Sequence, residues 1–301
     1  MKKSIKSLLI VGLALLTVGC GTTNTVPITG RKTHLLVTDA EILNLSTQQY
    51  QEYMKSAKVS TNQTNGDMVK RVGQKLASAV ETFLKNNGYA NEVQNFQWEF
   101  NLVADNQVNA FCMPGGKIVV YEGLLPVTQN EASLAIVLGH EIAHAVAKHS
   151  AEQLSKKMRQ QQAAQIGGAV LTAGGMGSNT ASILNSVASA GFNFANLKYS
   201  RDNESEADHL GLIFAAMAGY DPQVAIDFWQ RMSQLSSNKR SEFFSDHTSD
   251  EIRIAALQKQ MTEALKYYTP PTTEPAKTTT AKKTTTKKKT TTKKKTTTKK
   301  K

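Results

Sequence analysis

The chain has 301 residues and a formal net charge of +12, from 36 Lys plus Arg against 24 Asp plus Glu. The excess sits at the two ends. Residues 276–301 hold twelve lysines and no acid, and Lys2, Lys3 and Lys6 stand at the start, so removing these fifteen charges leaves −3 for residues 20–275. That balance excludes a basic body specific for nucleic acid, two cysteines exclude a disulfide-stapled scaffold, and about 235 residues suffice for one substantial core.

Residues 1–19 run from charged to apolar, with the apolar part (Leu8 to Val18) too short to span a bilayer, which predicts an export signal. The signal ends in LTVGC, which resembles the lipobox of bacterial lipoproteins and makes Cys20 the lipidated mature N-terminus. Thr17 stands where leucine is usual, with Leu16 one place early, and a soluble secreted form is the alternative. With Cys20 lipidated, Cys112 has no partner for a disulfide. Residues 20–34 read as a polar linker, and 35–269 as the folded domain.

Thr38-Asp39-Ala40-Glu41 is a capping-box pattern that predicts a helix to about Lys58. A second helix is predicted from Gly66 to Leu84, with Met68, Val72, Leu76, Val80 and Phe83 on its apolar side, stopping before Asn87-Gly88. The period then changes. FQWEFNLV and KIVVY read as strands, separated by NQVNAFCMPGG, an extended piece with a Pro-Gly-Gly turn. Asn109, Ala110 and Phe111, with Gly115 and Gly116 of the turn, are candidate substrate-binding residues: an extended edge there accepts a peptide by strand addition. The competing reading is a plain edge strand blunted by Pro114. Helices return over 129–155 and persist, giving an α+β fold: a mostly helical domain with a small sheet before the helix that carries VLGHEIAHAVAKH.

Within that helix, His140 and His144 lie four residues apart, about 40° around the axis, so both rings project from one face. A catalytic zinc site takes three protein ligands and keeps one position open for water, and Glu141 is placed to act as general base on that water. His149 is about 140° from His144 on a continuous helix and reads as a surface or second-sphere residue rather than the third ligand. Residues 163–196, rich in Ala, Gly and Ser, read as a close-packed helical hairpin, with a mobile or membrane-contacting flap as alternative. YSRDNESEADHLG then opens another helix, capped by Ser200 or Asp202. Glu204 and Asp208 share a face of it, with Glu204 the preferred third zinc ligand and Asp208 an acceptor for the other ring N–H of a ligand histidine. Glu206 points away from that face, and His209 packs or is solvated. The last stretch, a Thr/Lys repeat over 270–301, is predicted to be disordered, with contact to anionic polymers or lipid headgroups as its functional reading.

HEIAH followed by SRDNESEAD resembles the gluzincin-type zinc peptidases related to HtpX and the CAAX prenyl proteases, nearest to periplasmic lipoprotein members such as LoiP and BepA. VPITGRKTHLLV, NAFCMPGGKIVVYEGLL and FFSDHTSDEIRIAAL extend the likeness over about residues 26–267. It departs at Thr248, where the family has proline, and the chain runs into its lysine tail where BepA-like members carry helical repeats. The resemblance implies a zincin-like fold, one Zn(2+) per chain and endopeptidase activity on misfolded or misassembled envelope proteins, at the outer membrane facing the periplasm. It also singles out His247 and Arg253: His247 as a transition-state donor or an inhibitory plug on zinc, with a purely structural cap at the entrance of the next helix as the alternative, and Arg253 as the residue that holds or assists it. Two other functions compete, a zinc-stabilised chaperone or assembly factor without proteolysis, and a lipoprotein that binds wall polymer through its tail. Glu141 discriminates, because a scaffold has no use for a base beside the metal.

Overall fold

The computed structural model describes residues 21–169, 180–236 and 250–270, which belong to one folded unit. Cys20, residues 170–179 of the Ala/Gly/Ser stretch, His247 and the lysine tail lie outside them. The segment read as a linker forms a ribbon. Strand β1 (Thr22–Thr25) pairs antiparallel with β2 (Lys32–Leu35), and Val26 in the connecting turn is fully buried.

Helix α1 (Asp39–Ser56) starts where the capping box places it: Thr38 Oγ1 accepts from the Glu41 N–H at 3.2 Å, and the Glu41 carboxylate accepts from the Thr38 N–H at 2.8 Å. Helix α2 (Gln63–Asn86) begins three residues before Gly66, because the Asn62 side chain caps it by accepting from the Asn65 N–H at 3.1 Å. Its Val69, Val72, Leu76, Val80 and Leu84 are all buried, a stripe at helical spacing that faces the core.

The sheet has three strands, β3 (Glu99–Val103), β4 (Ala110–Met113) and β5 (Lys117–Tyr121), in the order β3-β5-β4. Strand β5 is central and buried along its whole length, parallel to β3 (Phe100 opposite Ile118) and antiparallel to β4 (Cys112 opposite Ile118). Gly115 and Gly116 turn the chain between β4 and β5 at φ of 86° and 81°, which side chains with a Cβ rarely adopt.

Helices follow: α3 (Glu131–Val146), α4 (His149–Ala169), α5 (Thr180–Ser189), α6 (Arg201–Met217), α7 (Val224–Ser236) and α8 (Asp250–Ala264). The one helix expected to run through VLGHEIAHAVAKH (137–149) ends before His149, which begins the next. Lys148 takes a left-handed φ of 57° and breaks the run between Val146 and His149. That conformation is costly for a residue with a Cβ. Ion pairs from Lys148 Nζ to Asp39 at 2.9 Å and Glu92 at 2.8 Å help to offset it.

Helix α3 is enclosed on nearly every side, between the sheet, α2 and α6. It meets α6 at two glycines. A Cβ built on Gly139 would lie 2.7 Å from the Gly211 carbonyl oxygen, and one on Gly211 would lie 2.7 Å from the His140 nitrogen. This backbone-to-backbone approach brings the start of α6 beside the face of α3 that bears the two histidines. Among the described residues no helix is long and apolar enough to cross a membrane.

Candidate metal centre

The two histidines and Glu204 meet in the interior. His140, His144 and Glu204 are each 1% exposed, so the site lies inside the body and not on its surface. His140 Nε2 is 3.1 Å from His144 Nε2, and Glu204 reaches the two rings with different oxygens, Oε2 to His140 and Oε1 to His144, each at 3.4 Å. One ligand atom from each of the three residues lies within 4.8 Å of the others, and two imidazoles with a carboxylate are a donor set that zinc takes. One helix supplies both rings because residues four apart share a face. The other supplies the carboxylate from its first turn, where Ser200 caps it by accepting from the Asn203 N–H at 3.2 Å. Of the two caps expected, the structure uses Ser200.

The electrostatics fit a cation. Burial pushes His144 well below its ordinary pKa and keeps its ring neutral, as a metal ligand must be. His140 is pulled the other way, to about 9: burial and the Arg253 charge lower it, but hydrogen bonds to Asp208 and Glu204 outweigh them. Two acids thus draw positive charge to His140, charge that a bound metal ion would supply in place of a proton.

Asp208 takes the position expected for it, with Oδ1 2.9 Å from His140 Nδ1. Burial would raise its carboxyl, but the Arg253 guanidinium and the His140 hydrogen bond hold it below the usual range. Arg253 donates to Asp208 from Nε at 2.7 Å and from Nη2 at 2.6 Å, and its guanidinium lies 3.6 Å from the Trp229 ring centroid. The described contacts of Arg253 run to Asp208 and also to the ligand candidates themselves, with Nη2 3.4 Å from Glu204 Oε2 and 3.1 and 3.3 Å from His140 Nδ1 and Nε2. His247, which Arg253 was expected to assist, lies outside the described residues.

Of the two readings of His149, the structure gives the second-sphere one and not the surface one. The ring is fully buried, with Nδ1 2.9 Å from His144 Nδ1 and Nε2 2.9 Å from Glu206. The angular argument that placed it on the far side assumed one unbroken helix, and the turn at Lys148 swings it back. Glu206 lies outside the His140–His144–Glu204 cluster and is not idle: it accepts from Thr29 Oγ1 at 2.6 Å and Arg31 Nε at 2.8 Å as well. Those bonds outweigh burial and lower its carboxyl to about 2. His209 pairs with Glu263 at 2.9 Å.

Glu141 is buried beside the edge strand, lining a small cavity with Asn109, Ala110, Phe111, Cys112 and Tyr199. Strand β4 is an edge, and Asn109 Oδ1 accepts from the Ala110 N–H at 2.9 Å. Gly115 and Gly116 serve the turn, their carbonyls accepting from the Gln97 and Glu99 N–H groups at 2.9 and 3.0 Å. The Tyr199 ring stacks on His144 at 4.0 Å, and its hydroxyl lies 2.8 Å from Ser150 Oγ. Sequence reasoning missed Tyr199, Trp229, Thr29, Arg31 and the glycine pair. Only the glycines carried a local signal, since an isolated glycine inside a helical pattern usually marks a close approach.

Residues 68–261 match peptidase family M48. The chain is 36% identical over 174 residues to mitochondrial metalloendopeptidase OMA1 of Schizosaccharomyces pombe, covering 57% of this chain and 49% of that one. It is 29% identical over 245 residues to metalloendopeptidase OMA1, mitochondrial, of Homo sapiens, covering 80% and 46%. With the beta-barrel assembly-enhancing protease of Escherichia coli the figures are 28% over 176 residues, 56% and 35%. The chain spans about half, or less, of the length of these relatives.

Proposed function

The chain belongs to peptidase family M48, and from that premise we propose that it is a zinc-dependent endopeptidase, lipid-anchored in a bacterial envelope, that removes misfolded or misassembled envelope proteins. The observation that carries the reading is Glu141, buried on the same helix as two ligand histidines whose nitrogens converge with the Glu204 carboxylate. His140, His144 and Glu204 would hold zinc, which when bound would acidify a water and polarise a carbonyl. Glu141 is the residue placed to take a proton from the attacking water as its oxygen adds to the amide carbon, and to return one to the amide nitrogen as the C–N bond breaks. Asp208 holds the proton on His140 Nδ1, leaving Nε2 as the ligand atom, and Arg253 fixes Asp208. A peptide laid along β4 as a further strand would pass Glu141 with its main chain engaged and few side chains read, which suits substrates defined by misfolding.

Envelope placement is supported by the charged-then-apolar start ending at Cys20 and by the likeness to the beta-barrel assembly-enhancing protease. The second reading, a zinc-stabilised assembly factor without proteolysis, leaves Glu141 without a role. The deciding experiment measures zinc content and casein cleavage of the full mature chain with and without a chelator. Cleavage that stops on chelation and returns with zinc supports the peptidase, and zinc binding without cleavage supports the assembly factor. Removing residues 276–301 is expected to leave turnover of a soluble substrate within about twofold while weakening binding to vesicles containing anionic lipid. Much lower turnover would place the tail in the catalytic unit.

A further inference from the structure

His149 is fully buried, and the hydrolysis described above makes no use of it. Its contacts run in a line. His144 offers Nε2 toward His140 and Glu204, so a metal bonded there leaves the ring proton on Nδ1. That nitrogen faces His149 Nδ1 at 2.9 Å, which must then accept, and His149 must carry its own proton on Nε2. Nε2 lies 2.9 Å from Glu206, an acceptor. Glu206 in turn receives Thr29 and Arg31, and Arg31 also spans to Glu152 at 3.0 Å. Each ring nitrogen has one role, and the line ends on the turn of the β1–β2 ribbon.

The two ligand histidines are therefore supported differently. His140 leans directly on a carboxylate, whereas His144 leans on a neutral imidazole with the carboxylate one ring further out. Resting on the zinc reading, we propose that His149 is the positioning residue for ligand His144, and that Glu206, Thr29 and Arg31 make the N-terminal ribbon part of the metal centre. The ribbon grips the second ligand from behind, and loosening that grip lowers the affinity for metal before it disturbs the fold.

The experiment titrates zinc against a chromogenic chelator in the full mature chain, with metal-free melting curves beside it. His149→Phe fills the space without an acceptor and is expected to weaken zinc binding by about 10- to 100-fold. His149→Gln, whose amide oxygen can accept from His144, recovers part of the loss. Arg31→Ala weakens binding several-fold. Combined with His149→Phe it adds less than its separate effect, because both act on one line of contacts. Affinity within twofold of wild type in a folded His149→Phe protein overturns the proposal, as does full additivity of the two losses. Should His149→Phe fail to fold, Arg31→Ala decides alone, since its side chain is one-third exposed and lies at the surface end: unchanged affinity there overturns the proposal. A wild-type chain that binds no zinc removes the zinc reading itself and this inference with it. A wild type that binds, with indifferent variants, removes only the inference.

Discussion

Glu141→Gln is expected to keep its zinc and lose peptide hydrolysis by a factor between about 10² and 10⁴, the range a positioned general base contributes. The substitution is nearly isosteric and leaves His140, His144 and Glu204 unchanged, so the three ligand atoms stay within 4.8 Å of one another. It removes the carboxylate next to ligand candidate His140, the group placed to take a proton from water and hand it to a leaving amine. The two readouts must separate: metal content near one zinc per chain, cleavage close to background. A variant that cleaves at near wild-type rate would mean that proton transfer is done elsewhere. A variant that loses its zinc would mean that Glu141 belongs to the ligand set.

The second large effect comes from a single methyl group. Gly211→Ala places a Cβ 2.7 Å from the His140 nitrogen and 2.9 Å from its Cα, and because both are backbone atoms no side-chain rotation relieves the clash. Helices α3 and α6 must part, at a cost of about 1–3 kcal/mol by analogy with overpacked cores. For a folded body of this size that lowers Tm by roughly 2–4 °C per kcal/mol. Metal binding suffers with the fold, since Glu204 rides on α6 and the histidines on α3. We expect at least a tenfold loss of zinc affinity. Gly66→Ala is the matched control: nothing lies within 4 Å of the added Cβ in α2, and the same change should stabilise by about 0.5–1 kcal/mol with zinc affinity untouched. If Gly211→Ala binds zinc like wild type, the close crossing is not what sets the distance between the ligands.

Local rules carried most of the fold. The Thr38 capping box, the apolar stripe of α2, the alternation in β3 and the four-residue spacing of His140 and His144 are all short-range signals, and each has its counterpart in the structure. Glu204 was within reach because zinc chemistry demands a third donor and the sequence offers few candidates. What escaped was everything set by a departure from ideal geometry or by contact between distant segments. The angle assigned to His149 failed because nothing in VAKHS announces that Lys148 will turn left-handed, and one such residue invalidates every angle counted across it. Arg31 and Glu206 are 175 residues apart, and neither has a local reason to seek the other. The segment before Leu35 looked like a linker because its composition is polar, yet polar side chains were needed there to reach a buried carboxylate.

The grip of Arg253 on Asp208 bears on when, and not only how, the site comes into being. Arg253 lies on the last long helix of the described body, 113 positions beyond the ligand His140 that it touches, while Thr29 stands near the beginning. Contacts so remote along the chain form slowly, since loop closure must precede them. On the zinc reading, metal capture is therefore expected late in folding. A chain made in order shows HEIAH before the segments that complete the proposed centre, and would hold an ion firmly only once they arrive.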